Sequence, residues 1–536
     1  MSMTIVTLPF FLFVAAVILV YYLVPKRFRW FTLLVASYTF YFFNSEWLVF
    51  VLAGMTAVTY LIGLWVQHVL DRNAAWLKEH GKEITKEEKK ARKDRNKKVT
   101  RRILLLGVFS VLATLIFLKY FNFLGHNVNL LFHLFGIKED LVPHLGLLLP
   151  IGISFYTLQA IAYMTDVYRG KIRADRNPLK FMLFMSFFPQ IVQGPIPRHG
   201  QLAQQLYEGH SFDHKNLYYG AQMMLWGLIK KLVIAERLAI PVNYLFDNHN
   251  SYSGPILFFA VALYGLQVYA DFSGGMDIAR GVAQMLGIRL ELNFAQPYFS
   301  SSIEDFWRRW HITMGHWMRD YVFYPLSLSK LFTNLSRVSR KFMGQFVGKR
   351  LPSLLAMFIV YFLVGFWHGS SWKYIAFGIW NGLFIMSGIL LDNVYRIVRE
   401  KLHIKEESIS WRVFRMVRTF VIVSFGRFFS AAPTFMTAIT MFGQTFVHWQ
   451  NISFLTDGTL QKMGLSTANW FLLLFAIILL FFVDLTHERG ISIRDTISNQ
   501  ALVFRWIVYI AAVLFVLIFG IYGPAYDASS FIYEQF

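Results

Sequence analysis

The sequence predicts an all-α polytopic membrane protein, on three observations. Its 536 residues are 56% hydrophobic and 18% aromatic but only 15% charged, against about 25% charged in an ordinary soluble domain. Apolar runs such as IVTLPFFLFVAAVILVYYLV (5–24), LLAMFIVYFLVGFW (354–367), WFLLLFAIILLFFV (470–483) and WIVYIAAVLFVLIFGIYG (506–523) recur along the chain. Each is near the roughly 20 residues a helix needs to cross hydrocarbon. The basic residues behind the net charge of +21 cluster between these runs, which is the positive-inside pattern of a membrane protein and not the basic face of a nucleic-acid binder.

Taken in order, the first run lacks a basic n-region and a small-residue cleavage site and so reads as a retained helix. Lys26, Arg27 and Arg29 place its far end inside and the N-terminus outside. A helix over 30–43 rises, turns at NSEW and returns through 47–70. The segment 71–102, with thirteen Lys/Arg and six Asp/Glu, is expected as a cytoplasmic loop, as are 169–180 with five Lys/Arg and 326–350 with six and no acids. Residues 103–124 rise again and 146–168 descend. FFPQIVQGPIPR (187–198) packs three prolines and a glycine into apolar surroundings; broken backbone at membrane depth is tolerated only where protein buries it or it lines a cavity, so a re-entrant segment is expected. HERGISIRD (487–495) and Arg505 lie inside, so the last span carries the closing FIYEQF out.

Chemistry is narrowed by absences and by a few charged or imidazole groups in apolar runs. The chain has no cysteine, so disulfides, thiolate metal sites and an acyl-cysteine intermediate are excluded. No metal-ligand spacing, phosphate loop or nucleophile elbow is present. GLIKKLVIAERLA (227–239) and YADFSGGMDIARG (269–281) set Lys230, Lys231, Glu236, Arg237, Asp271, Asp277 and Arg280 among apolar residues, which predicts a polar interior around broken helices. Structural ion pairing is the expected role of any one of them.

Two of the fifteen histidines stand apart. His311 lies in SSIEDFWRRWHITMGHWMRDYVFYPL (301–326), where Trp307, Trp310, His311 and Met314 share one helical face and Glu304–Arg308 and Asp305–Arg309 can pair along it. His368 closes an apolar helix in FLVGFWHGSSW (362–372); Gly365, one turn earlier, is expected to leave room beside the imidazole, and Gly369 to stop the helix. From spacing alone, a core histidine bonded to a neighbouring helix is the plainer reading of each.

The stretches just quoted, with YGLQVYADFSGGMDIARGVAQMLGIRLELNFAQPYF ahead of the His311 block and WKYIAFGIWNG after His368, resemble the successive signature blocks of the membrane-bound O-acyltransferase (MBOAT) family over most of residues 8–430. The sequence is most similar to the bacterial branch of alginate O-acetylation and teichoic acid D-alanylation proteins. The resemblance implies a many-helix fold around a transmembrane tunnel open to a thioester donor from the cytoplasm and an acceptor from outside. It implies His368 as the near-invariant active-site histidine and His311 as the second active-site position, commonly Asn in eukaryotic members. Trp307, Trp310 and Trp367 are the rings expected against substrate. Residues 1–430 are then the acyltransferase core, and 431–536 add transmembrane helices and an extracellular tail. Those extra spans, which the D-alanylation proteins lack, favour acetyl over D-alanyl. FIYEQF also resembles the Phe-x-Tyr-x-x-Phe ending of the small membrane protein that accompanies the D-alanylation enzyme.

The expected function is therefore acyl transfer, most simply acetyl from cytoplasmic acetyl-CoA, across a bacterial plasma membrane to an extracellular polysaccharide or teichoic acid, with no bound cofactor and no metal. Tyr533 would carry the acyl group, because a phenol of pKa about 10 leaves far better than a sugar alkoxide, and Phe531 and Phe536 would anchor it. His368 would be the general base and His311 would orient the donor or the oxyanion, with exchange of these roles left open. The resemblance further implies a separate extracellular SGNH-like partner with a serine nucleophile. D-alanyl transfer to teichoic acid, a transporter or lipid scramblase built on charged broken helices, and a non-catalytic scaffold are the alternatives.

Overall fold

The computed structural model describes residues 3–522 apart from Gly81; Phe531, Tyr533 and Phe536 lie outside the described residues. Among those described, seven helical stretches are long and apolar enough to cross a membrane and no β-strand forms. The chain is a multi-pass all-α protein. It divides into two compact units, one of residues up to 221 with 279–291, the other of 222–278 with residues from 292 onward.

In the first unit, the expected rise and return is a pair of helices, Arg29–Ser45 and Val49–His80, turning at Glu46 with φ 44°. The basic segment after it is not a loop. The Val49–His80 helix runs on to His80, and the next, Lys86–Leu115, starts at a capping box in which Thr85 and Glu88 satisfy each other's backbone N–H groups. Lys, Arg and Glu are good helix formers, so positive-inside clusters need not unwind the backbone. The three-proline stretch breaks as expected: a four-residue turn, Phe188–Ile191, is followed by irregular chain, and residues 187–196 are buried. Its first amide is capped across the unit, Phe188 N–H donating to Ser37 Oγ at 3.1 Å. Phe13, Phe40 and Phe188 pack ring to ring at 5.3–6.0 Å, contacts worth about 0.5–1.5 kcal/mol each beyond area burial.

A polar cluster holds the loop that follows Ile153–Tyr168. Asp175 accepts from the Tyr207 hydroxyl and sits 3.4 Å from His199 Nε2. Burial works to raise the pKa of this carboxyl, but the hydrogen bonds from His199 and Tyr207 outweigh it and hold the group below the usual carboxylate range.

The second unit is built on the part of Pro255–Met285 up to Ile278, and that helix is uninterrupted where the charged sequence predicted a break. The irregularity lies in its partner, where Ile229–Ala235 is a π-helical turn. One extra residue per turn lets the adjacent Lys230 and Lys231 each find a carboxylate. Lys230 Nζ lies 2.7 Å from Asp277 and 2.9 Å from Ser273 Oγ; Lys231 lies 2.6 Å from Glu236 and also pairs with Asp271. Ion pairing is thus what these residues do. The turn also frees a carbonyl: Leu232 O accepts from Ile521 N–H at 3.0 Å, and Arg237 donates to Phe519 O at 3.0 Å, so the end of the last helix, Leu502–Phe519, is held here. Residues on both sides of position 430 share this unit's core, Leu473, Ala476 and Leu480 clustering with Val268, Phe272 and Trp310.

Candidate active site

His368 closes Lys330–His368, which takes up the basic segment 326–350 as helix with a kink at Gly344. The glycine near His368 has a different use from the one expected. A Cβ on Gly365 would lie 2.4 Å from Tyr374 O, and one on Gly378 would lie 2.2 Å from Tyr361 O, so the space receives the backbone of the next helix, Trp372–Leu390, and not the imidazole. Gly369 is extended (φ −179°), a conformation any residue adopts; what forbids a side chain there is the Tyr374 ring, 2.3 Å from a built Cβ. The two helices meet backbone to backbone, and their junction holds His368.

The His311 segment is not one helix. Ile303–Arg309 ends, Trp310 pairs with Phe294 in an isolated antiparallel bridge, and Ile312–Met318 starts afresh. Ala295 N–H donates to Arg309 O and Ile312 N–H to Asn293 O, both at 3.0 Å, so the preceding strand-like segment captures the backbone and breaks the helix. His311 stands at the break with φ 49°, a left-handed conformation in which His and Asn are enriched among non-glycine residues. The expected Asp305–Arg309 pair forms at 3.2 Å, while Arg308 also goes to Asp305 and not to Glu304.

The break turns His311 inward, where it is 1% exposed. Asn293 Oδ1 accepts both the N–H and the hydroxyl of Thr313 at 2.9 Å, which turns the amide nitrogen toward His311 Nδ1 at 3.1 Å. An amide N–H needs a lone pair to receive it, so the neutral ring carries its hydrogen on Nε2. In the tautomer that accepts this N–H at Nδ1, His311 presents an Nε2–H donor. The Trp367 indole lies 5.9 Å from the His311 ring and 5.2 Å from the His368 ring, a shared wall for both imidazoles.

His368, Trp307 and Trp310 line one cavity of about 40 Å³ with Tyr374, Asn381 and Arg427. Trp307 Nε1–H donates to Asn381 Oδ1 at 3.1 Å, which locks that wall. Among the described residues, His311 and Trp367 do not line this cavity. Sequence reasoning missed Asn293, Asn381 and Arg427. Arg427, a single cation inside the apolar FVIVSFGRFF, carried a signal; the two asparagines carried none. No group of three or more metal-ligating side chains occurs among the described residues.

The helices long and apolar enough to cross a membrane and the buried imidazole in a small aromatic cavity make this a polytopic membrane protein with a small internal site. A family model described as MBOAT, membrane-bound O-acyltransferase family, matches residues 171–431. The probable alginate O-acetylase AlgI of Pseudomonas syringae pv. tomato is 33% identical over 463 residues, 85% of this chain and 78% of the relative. The chain belongs to the membrane-bound O-acyltransferase family, and it is an O-acyltransferase. The peptidoglycan O-acetyltransferase of Helicobacter pylori is 32% identical over 52% of this chain and 54% of its own length. The teichoic acid D-alanyltransferase of Bacillus subtilis is 28% identical over 45% of this chain and 59% of its own.

Proposed function

We propose that the protein transfers an acetyl group from cytoplasmic acetyl-CoA, by way of Tyr533, for O-acetylation of an extracellular cell-envelope polysaccharide at a bacterial plasma membrane. The observation that carries this reading is His368 in a cavity of about 40 Å³ walled by Trp307 and Trp310. That space suits a few heavy atoms, an acetyl group and not a long acyl chain. The alginate relative, which covers 85% of the chain against 45% for the D-alanyl relative, favours the same choice.

In this mechanism the attacking hydroxyl gives its proton to the His368 imidazole as its oxygen bonds to the thioester carbonyl carbon. His311, in the tautomer that donates from Nε2, orients the thioester; Trp307 and Trp310 exclude water from the acyl group, and Trp367 walls the two imidazoles. Collapse of the tetrahedral intermediate breaks the C–S bond, and the imidazolium returns the proton to the departing thiolate. The tyrosyl ester then moves to the polymer on an extracellular SGNH-like partner. The anchor of Ile521 on Leu232 leaves twelve residues to Tyr533, a reach of up to ~40 Å, enough for the phenol to turn back into an outer funnel. Phe531 and Phe536 hold it there.

His368→Ala, purified in lipid nanodiscs with its fold checked by thermal unfolding, should lose about 100-fold to 10,000-fold in acetyl transfer rate. Wild-type turnover in that variant would make His368 a core histidine and end the reading.

A further inference from the structure

Arg427 stands in the same cavity as His368. It is 5% exposed, and its Nε has no hydrogen-bond partner. Among the described residues no carboxylate lies within ion-pair distance of it, in contrast to Lys230, Lys231 and Arg309, each paired at 2.7 Å or less. Its neighbours are neutral: the guanidinium carbon lies 4.8 Å over the Trp310 ring, and the group is hydrogen-bonded to the Tyr298 hydroxyl, which in turn donates to Gly265 O at 2.6 Å. Tyr298 and Trp310 hold the guanidinium in place without cancelling its charge.

A buried cation without a counter-ion is strongly disfavoured unless something anionic shares its site for part of the time. The cavity's other polar groups, His368, Asn381, Tyr264, Tyr374 and Ser430, bring no negative charge. We infer that Arg427 makes this cavity an anion site of acetate size, which holds the oxyanion formed during acyl transfer and disfavours acyl groups that carry an ammonium. The inference rests on the proposed acyl transfer for its catalytic half. When the attacking oxygen bonds to the acyl carbon, the carbonyl π electrons move to oxygen, and one negative charge appears in a space that already contains one uncompensated positive charge. A preorganised donor of this kind is typically worth about 100-fold to 1,000-fold in turnover. An aminoacyl donor would instead bring a second cation beside Arg427, where low polarity makes repulsion strong.

Methylphosphonate, a tetrahedral anion of about acetate size, tests the site without any turnover. It should raise the thermal unfolding midpoint of the detergent-solubilised protein by about 2–4 °C at saturation, do so equally in His368→Ala, less in Arg427→Lys and not at all in Arg427→Met. A full rise in Arg427→Met overturns the anion site. Acetyl transfer then tests its use: Arg427→Met should lose about 100-fold or more in turnover with the KM for donor within about threefold, Arg427→Lys should recover part of it, and the preference for acetyl over alanyl thioester should narrow. Wild-type turnover in Arg427→Met, with His368→Ala inactive, would overturn the oxyanion role while leaving the acyl-transfer reading intact. Turnover retained in His368→Ala would instead end that reading, with the methylphosphonate result still deciding the anion site. If Arg427→Met does not fold, Arg427→Gln and Arg427→Lys carry both measurements.

Discussion

At the scale of single residues the site depends on backbone conformation as much as on side-chain chemistry. His311 combines a buried imidazole with φ 49°, a conformation that costs most non-glycine residues about 1–3 kcal/mol. An alanine there removes the ring and also meets that cost, so it confuses folding with catalysis. Asparagine tolerates the left-handed region and keeps a donor. His311→Asn should therefore unfold within about 1 kcal/mol of wild type yet transfer acetyl far more slowly, whereas His311→Val should lose stability first. Thermal unfolding and turnover on the same preparations separate the two; a Val variant as stable as wild type would remove the conformational argument. The histidine was visible in the sequence but its setting was not. In DFWRRWHITMGHW the three and four spacing continues through the break with no proline beside it, and the interruption comes from residues 293–295, which pair with 309–312 only in the folded chain.

At the scale of elements, two contacts carry testable weight. Gly365 and Gly378 bring Lys330–His368 and Trp372–Leu390 into backbone contact, and in a membrane such small-residue contacts are a main source of helix association. Gly378→Ala forces a Cβ toward Tyr361 O, where 2.2 Å is available, so it should cost about 1–3 kcal/mol and move His368 with the helix, lowering transfer as well as the unfolding midpoint. An unchanged midpoint would show that the helices slide freely. In the first unit, the Asp175 carboxyl is held below the ordinary range by His199 and Tyr207 despite burial. Its folded pKa is thus below an unfolded value of about 3.9, so the stability it contributes is present above about pH 4 and lost as pH falls through the folded value. Asp175→Asn should lower the midpoint at neutral pH and flatten its fall between about pH 5 and 3; equal slopes in the two proteins would mean the carboxylate contributes nothing. Apolar runs and the proline cluster were legible because burial and backbone breakage act locally. The helices in the basic segments and the unbroken Pro255–Met285 were not, because charge reports sidedness and pairing, not whether a backbone stays helical.

At the scale of the whole molecule the proposed reaction poses the question of how an acyl group would cross while coenzyme A stays behind. Clusters of Lys/Arg at 71–102 and 326–350 and in 487–495 predict the parity of the spans, and the proposed relay requires that the segment after Leu502–Phe519 emerge outside, opposite the thioester donor. The native chain has no cysteine, so single cysteines at Lys90 and Asp527 report sidedness cleanly: Asp527→Cys should react with an impermeant maleimide in intact cells and Lys90→Cys only after permeabilisation. The reverse pattern would rule out a relay from the outer face. Given that sidedness, Tyr533→Phe is the sharpest test of the carrier. The substitution keeps the ring and removes only the oxygen, so any role of Phe531, Tyr533 and Phe536 as an interfacial aromatic anchor survives it. Loss of polymer acetylation with normal insertion then leaves covalent transfer through the hydroxyl as the explanation, and the mass of the C-terminal peptide from wild-type cells should show an added acetyl group, about 42 Da, on Tyr533 that the variant lacks. Wild-type acetylation in Tyr533→Phe would mean that the polymer's own hydroxyl enters the cavity and meets His368 directly, and Phe531, Tyr533 and Phe536 would then serve as an anchor.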